Sequence, residues 1–149
     1  MRLYFDTSAF GGYYDPEFSH WTRKLLNQLI YSDSQRLVYS ALTARELRRA
    51  PERVSKLIDK VPQEKVEFIM TNQAVIDLAT AYIKAGALTK KFEEDAEHIA
   101  LASVYGVDVL VSWNFKHMVN LIRLKQYNSI NLRYGYSQID IRNPRELLL

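Results

Sequence analysis

Short apolar runs alternate along the chain with longer stretches in which apolar residues recur every three or four positions. Arg2 to Phe5 reads as a strand ending at Asp6, and Thr7 to Tyr14, with Gly11 and Gly12, as a loop. Asp15-Pro16 reads as an N-cap with proline at the first helical position, opening a helix to about Tyr31 with Leu25, Leu26, Leu29 and Ile30 on its inner face. Arg36 to Tyr39 is a second strand. Ser40 caps a helix over Ala41 to Arg49, and Pro51 opens another that Pro62 ends. Val66 to Met70 is a third strand. Thr71 or Asn72 caps a helix that stops at Gly86 and is apolar nearly all round, so it is expected to be well buried. Thr89 caps a helix ending at Gly106, with Phe92, Ala96, Ile99, Ala100 and Ser103 on one face. Asp108 to Val111 is a fully covered strand, Phe115 to about Leu132 a basic helix, Ser137 to Ile141 a last strand and Pro144 to Leu149 a terminal turn. Strands alternating with helices predict an α/β fold, a mostly parallel sheet flanked by helices.

In such a sheet ligands bind beyond the carboxyl ends of the strands. Asp6 ends the first strand, and Glu46 lies within two turns of the helix after the second. Asp95 begins the helix that returns to the fourth strand, and Asn114 follows that strand. The topology therefore brings Asp6, Glu46, Asp95 and Asn114 to one edge. Carboxylates gathered in a low dielectric repel one another, and a hard cation such as Mg²⁺ or Mn²⁺ removes that cost. Such a cation activates water and neutralises a transferring phosphoryl group, so phosphodiester hydrolysis suits the set. Each member also has a structural reading alone: a turn cap for Asp6, a surface ion pair for Glu46, dipole pairing for Asp95 and a turn for Asn114.

The 149 residues suit one domain spanning 1–149. Twenty basic and 17 acidic side chains leave a net charge of +3. From Val109 to Ile139 there is no acidic residue, and Arg45, Arg48, Arg49, Arg53, Lys56 and Lys60 form a second basic cluster. Arg45, Arg48, Arg49 and Lys116 are the candidate RNA contacts. Tyr13 and Tyr14, near Asp6, are candidates for base stacking. Trp113, Phe115, Tyr127, Tyr134 and Tyr136 read more readily as packing residues. The absence of cysteine excludes disulfides, thiolate zinc sites and cysteine nucleophiles. No apolar run approaches the roughly 20 residues of a membrane span, no signal-peptide core is present, and a cytoplasmic protein is expected.

Asp6-Thr7-Ser8-Ala9-Phe10, Thr43-Ala44-Arg45-Glu46-Leu47, Asp95-Ala96-Glu97-His98-Ile99-Ala100-Leu101-Ala102 and Leu110-Val111-Ser112-Trp113-Asn114-Phe115-Lys116-His117 stand in this order along the chain. Together they resemble the four motifs of PIN-domain (PilT N-terminus) nucleases. The resemblance implies a three-layer fold with about five parallel strands and a Mg²⁺- or Mn²⁺-dependent endoribonuclease. It further implies a VapC-like toxin, commonly homodimeric, with an antitoxin that inserts near the acidic pocket. On this reading Asp6, Glu46 and Asp95 hold the metal, Asn114 completes the catalytic set, and Thr7, Ser112 and His98 support the pocket. Asn114 departs from the pattern, in which Asp is frequent.

Competing sites are weaker. The strand-end Asp6 also resembles the nucleophile of haloacid-dehalogenase-like phosphatases, but Ser8 stands where their second Asp is required. No glycine-rich phosphate loop exists, and His20, His98 and His117 lack metal-ligand spacing. His98 reads as a pocket-edge or core residue, and His117 beside Lys116 as a phosphate contact or a surface residue. The alternative function is a catalytically weak or inactive PIN-fold module that binds RNA or protein; an interaction subunit with a vestigial pocket is a third. Acids grouped to bridge a metal would favour the enzyme. An acid paired with Arg45, Arg48 or Arg49 would favour the module.

Overall fold

Five strands, each followed by helical structure, form one parallel sheet in a computed structural model covering residues 1–149. The order of elements is β1 (Arg2–Phe5), α1 (Thr7–Gly11), α2 (Ser19–Tyr31), β2 (Arg36–Ser40), α3 (Ala41–Leu47), α4 (Glu52–Ser55), β3 (Val66–Ile69), α5 (Gln73–Lys84), α6 (Glu93–Val104), β4 (Val109–Val111), α7 (Leu121–Arg133) and β5 (Asp140–Arg142). Short 3-10 turns cover Lys56–Lys60, Gln63–Lys65, Lys90–Phe92 and Pro144–Leu147. The strands lie in the order β3-β2-β1-β4-β5, with Leu3 opposite both Leu37 and Val109. No helix is long and apolar enough to cross a membrane.

Strand side chains alternate between two cores. Tyr4, Val38, Leu110 and Ile141 join the face covered by α5, α6 and α7. Leu3, Phe5, Leu37, Val109 and Val111 join the face covered by α1, α2 and α4. The result is a three-layer α/β arrangement with a largely parallel sheet between helices, as the alternation of patterns predicts.

Several segments differ from expectation: the helix expected from Asp15-Pro16 starts at Ser19, Thr89 makes no side-chain cap and α6 starts at Glu93, and the last strand covers only Asp140–Arg142. The loop expected over 7–14 begins with α1, because the Asp6 side chain caps it by accepting from the Ala9 N–H at 2.8 Å. The helix expected from Phe115 begins only at Leu121. There the Asn114 Oδ1 accepts from the backbone N–H groups of Lys116 (3.1 Å) and His117 (3.0 Å), which holds 115–117 in a turn, and Asn120 supplies the later cap. Helix α5 is not buried on all sides: Val75, Leu78, Ala81 and Tyr82 face the core, while Ile76 is 49% exposed. Its cap is Asn72, and Gly86 ends it at φ +77°, a conformation that favours glycine.

The strand order reverses about β1, so a crevice opens between the carboxyl ends of β1 and β4. Asp6 leaves one strand at that crevice, and Ser112 to Asn114 leave the other.

Candidate functional site

At this crevice the Asp6 carboxylate is buried and accepts three hydrogen bonds. Its Oδ1 takes the Ser8 hydroxyl (2.7 Å) and the Ala9 N–H (2.8 Å), and its Oδ2 takes the Ser112 hydroxyl (2.6 Å). The Ser8 hydroxyl also accepts the Trp113 N–H at 2.9 Å, stitching the β1 and β4 ends together. Ser112 and Ser8 thus support Asp6, whereas the buried Thr7 hydroxyl makes no hydrogen bond to Asp6 and lies on the Glu46 side, where it helps to lower that carboxyl. Burial raises the Asp6 pKa above the usual carboxylate range, although the His98 charge and the Ser112 and Ser8 hydroxyls oppose the rise.

Glu46 reaches the crevice from α3, whose start is fixed by the Ser40 side chain accepting from the Thr43 N–H at 3.0 Å. The Glu46 Oε1 accepts from His98 Nε2 at 2.6 Å. His98 is itself buried, and its Nδ1 shares a 2.7 Å hydrogen bond with the Tyr4 hydroxyl, which in turn shares one of 2.7 Å with the Ser40 hydroxyl. Burial by itself would raise the Glu46 carboxyl, but the bond and charge of His98 outweigh it and hold the group below its ordinary pKa. Burial would likewise lower His98, yet Glu46 and the Asp6 charge overcome it and favour the imidazolium. With both nitrogens protonated, Nδ1 donates to Tyr4 and Tyr4 donates on to Ser40.

Asp95 sits in the first turn of α6. Its Oδ2 accepts from His117 Nδ1 at 2.9 Å, and the Asn114 amide approaches the same oxygen at 3.5 Å. His117 is locked by its backbone: its N–H donates to Asn114, and its carbonyl accepts the Tyr127 hydroxyl at 2.6 Å. Its ring packs on Phe92 with centroids 4.0 Å apart. Sequence reasoning missed Tyr4, Ser8 and the pairing of His117. The Ser8 signal lay in the Asp6-Thr7-Ser8 run, since a hydroxyl two residues after a cap can return to it. The Tyr4 and His117 bonds join distant segments and leave no local pattern.

The structure brings the acids to one edge, each with its own partner, and no three His, Asp or Glu side chains are grouped so as to hold a metal ion. The expected Mg²⁺ or Mn²⁺ site does not fit the side chains as they stand, because Glu46 and Asp95 are each turned onto an imidazole. Neither acid pairs with Arg45, Arg48 or Arg49. Arg48, Arg49 and Lys116 are exposed and unpaired with any carboxylate. Arg45 instead shares a cleft with Glu93, Glu94 and Glu97, which offset its charge.

Of the aromatic residues expected to pack, Trp113 and Tyr127 are buried, whereas Phe115 and Tyr134 are not. Phe18 stacks on Trp113 with centroids 4.2 Å apart, and the Trp113 indole donates to the Thr22 hydroxyl at 2.9 Å. Gly12 allows this approach, since a Cβ there would lie 2.5 Å from the indole nitrogen. Phe115 is 48% exposed beside the site, and Tyr134 is exposed while Tyr127 is buried.

No family model and no curated protein matches the chain. Solved structures do. A chain from VapBC2 of Rickettsia felis, crystallised bound to a DNA fragment from their promoter, superposes with a TM-score of 0.62 at 14% identity, over 96% of this chain and 98% of that one. VapC20 of Mycobacterium tuberculosis, a Sarcin-Ricin loop cleaving toxin, superposes with a TM-score of 0.53 at 13% identity, over 93% and 98%. The chain has a VapC-like, PIN-type fold. At these identities the likeness speaks for the fold alone.

Proposed function

We propose that the chain is a PIN-fold RNA-binding module whose hydrolytic activity is weak or absent in the resting arrangement of its site. The observation that carries this reading is the commitment of all three carboxylates: Asp6 to three donors, Glu46 to His98 and Asp95 to His117. Exposed Arg48, Arg49 and Lys116 give the RNA backbone its contacts.

A second reading has its own support. Glu46 Oε2 and Asp95 Oδ1 make no hydrogen bond within the chain, and Asp6, Glu46, Asp95 and Asn114 share one edge. On that reading the chain is a Mg²⁺- or Mn²⁺-dependent endoribonuclease of the VapC type, acting as a homodimeric toxin in the cytoplasm and restrained by an antitoxin. The single domain 1–149 serves either reading.

One experiment separates them. Single-stranded RNA is incubated with the protein in EDTA, Mg²⁺ or Mn²⁺, and both binding and cleavage are followed at neutral pH. The module binds RNA in EDTA and cleaves it no faster with either metal. Metal-dependent turnover that disappears in Asp95→Asn would overturn the module and establish the nuclease. Absence of RNA binding under all three conditions would overturn both.

A further inference from the structure

Beside α2 and the 3-10 turn Lys56–Lys60, and lined by none of the acids, a cleft of about 460 Å³ opens. That volume lies in the range of small-molecule sites, about 300–1,000 Å³. Its walls carry three cations, Arg23, Lys24 and Lys60, two rings, Tyr13 and Tyr31, and the amide of Asn27. No carboxylate lines it, and none of the three cations is paired with one anywhere in the chain. Unopposed cations converging on one cleft give a positive potential that selects an anion.

Arg23 is already oriented. Its guanidinium lies 4.6 Å from the Tyr13 ring centroid and 5.6 Å from that of Tyr14, and its Nε donates to the Tyr13 carbonyl at 3.0 Å. Both terminal nitrogens are left for a ligand, and a guanidinium fork matches phosphate geometry. Tyr14 is fixed in turn by Arg53, whose guanidinium lies 4.6 Å from its centroid. Tyr31 is 78% exposed, so its ring is free to meet a ligand. A bare inorganic anion has no use for two aromatic walls, and an apolar ligand has none for three cations. A flat heterocycle carrying a phosphate uses both.

We infer that this cleft is a nucleoside-phosphate site, with Arg23 and Lys60 on the phosphate and Tyr13 and Tyr31 against the base, while Lys24, whose ammonium lies 6.0 Å from the Trp21 ring, adds only to the positive field. The inference rests on the cleft alone and stands whether or not the acidic edge binds or cleaves RNA. The nucleotide comes from solution or from the end of an RNA strand, and the same chemistry recognises both.

Titration calorimetry with adenosine 5′-monophosphate, adenosine, inorganic phosphate and a 5′-phosphorylated adenosine trinucleotide tests it. The monophosphate is expected to bind at least tenfold more tightly than adenosine or phosphate, because each of those fills half the site. Tyr31→Ala and Lys60→Glu are each expected to weaken it at least fivefold; both positions are exposed, and circular dichroism verifies their folding. A trinucleotide that binds more tightly than the monophosphate, with the same sensitivity to both variants, assigns the site to a strand end. The reverse order assigns it to a free nucleotide. No binding at millimolar monophosphate, affinity equal to that of phosphate, or affinity unchanged in both folded variants would overturn the inference.

Discussion

Two carboxylate–imidazole pairs flank Asp6, and they are built alike but supported differently. Glu46–His98 and Asp95–His117 have donor–acceptor distances of 2.6 and 2.9 Å, with their carboxylates 21% and 24% exposed. His98 uses its second nitrogen on Tyr4, so this pair continues inward through Tyr4 and Ser40 to the end of β2. His117 makes no second ring hydrogen bond within the chain; it is placed by its backbone, through Asn114 and Tyr127. The first pair is part of the core's polar wiring. The second is a turn held from outside, with one imidazole nitrogen free. Similar chemistry at the crevice therefore has different consequences for stability and for ligand access.

The sharpest way to break the comparison is to remove each imidazole. His98→Ala strips Glu46 of its partner and leaves the buried Tyr4 hydroxyl with Ser40 alone. Breaking a buried pair and leaving a cavity costs about 3 kcal/mol, or a fall in melting temperature of roughly 6–12 °C for a chain of this size. His117→Ala also opens a cavity, beside Phe92, but it strands no second hydrogen-bond partner, and costs less, about 2 kcal/mol. Thermal melts of both variants check the order. Equal losses would mean that the Tyr4–Ser40 extension adds nothing.

A second test reads the pH dependence. His98 is raised, so its stabilisation is fully present below the unfolded imidazole pKa of about 6.5 and is lost as pH rises through the higher folded value. Glu46 is lowered, so its stabilisation is present above the unfolded carboxyl pKa and is lost as pH falls through the lower folded value. Asp6 has the opposite sign: its raised pKa means that ionising it costs stability as pH rises past the usual carboxylate range. The melting advantage of the wild type over His98→Gln should then be greatest near about pH 5–6 and shrink on the alkaline side. A difference that stays flat from pH 5 to 9 would show that the imidazolium is not what holds Glu46.

These pairs also mark where sequence reading stops. The strands were legible because Leu3–Phe5, Leu37–Tyr39 and Val109–Val111 are short β-rich runs, and the alternating helices imply parallel order. The convergence of Asp6, Glu46, Asp95 and Asn114 on one edge followed from topology alone. What those groups bond to did not. Helical spacing places His98 one turn from Asp95, yet its ring bonds Glu46, 52 residues away. The short helix α1 was hidden by Gly11 and Gly12, whose local signal reads as a turn, while the cap that starts it is the Asp6 carboxylate counted as a ligand. The segment 115–119 carries helix-compatible residues, and only the Asn114 side chain's claim on two backbone N–H groups delays α7.

Asn114 allows the smallest and most local change. Its Oδ1 is occupied by the Lys116 and His117 N–H groups, and its Nδ2 faces Asp95 Oδ2 at 3.5 Å. Asn114→Asp keeps the acceptor that builds the turn but replaces the amide donor with a second carboxylate oxygen beside Asp95. In the metal-free protein that adds like-charge repulsion at a partly exposed position, worth about 1 kcal/mol, so the variant should melt a few degrees lower. Affinity for hard cations rises with ligand charge, so Mn²⁺ should bind the variant more tightly than the wild type and restore the lost degrees. The two sides are coupled through charge, since His98 feels Asp95: combined with His98→Ala, the losses should exceed their sum, because the imidazolium that offsets the added charge is gone. Melting curves with and without Mn²⁺, with calorimetry for the affinity, measure all three quantities. An Asn114→Asp protein with unchanged Mn²⁺ affinity and an unchanged metal-free melting temperature would remove Asn114 from the crevice's electrostatics and leave it as the builder of a turn.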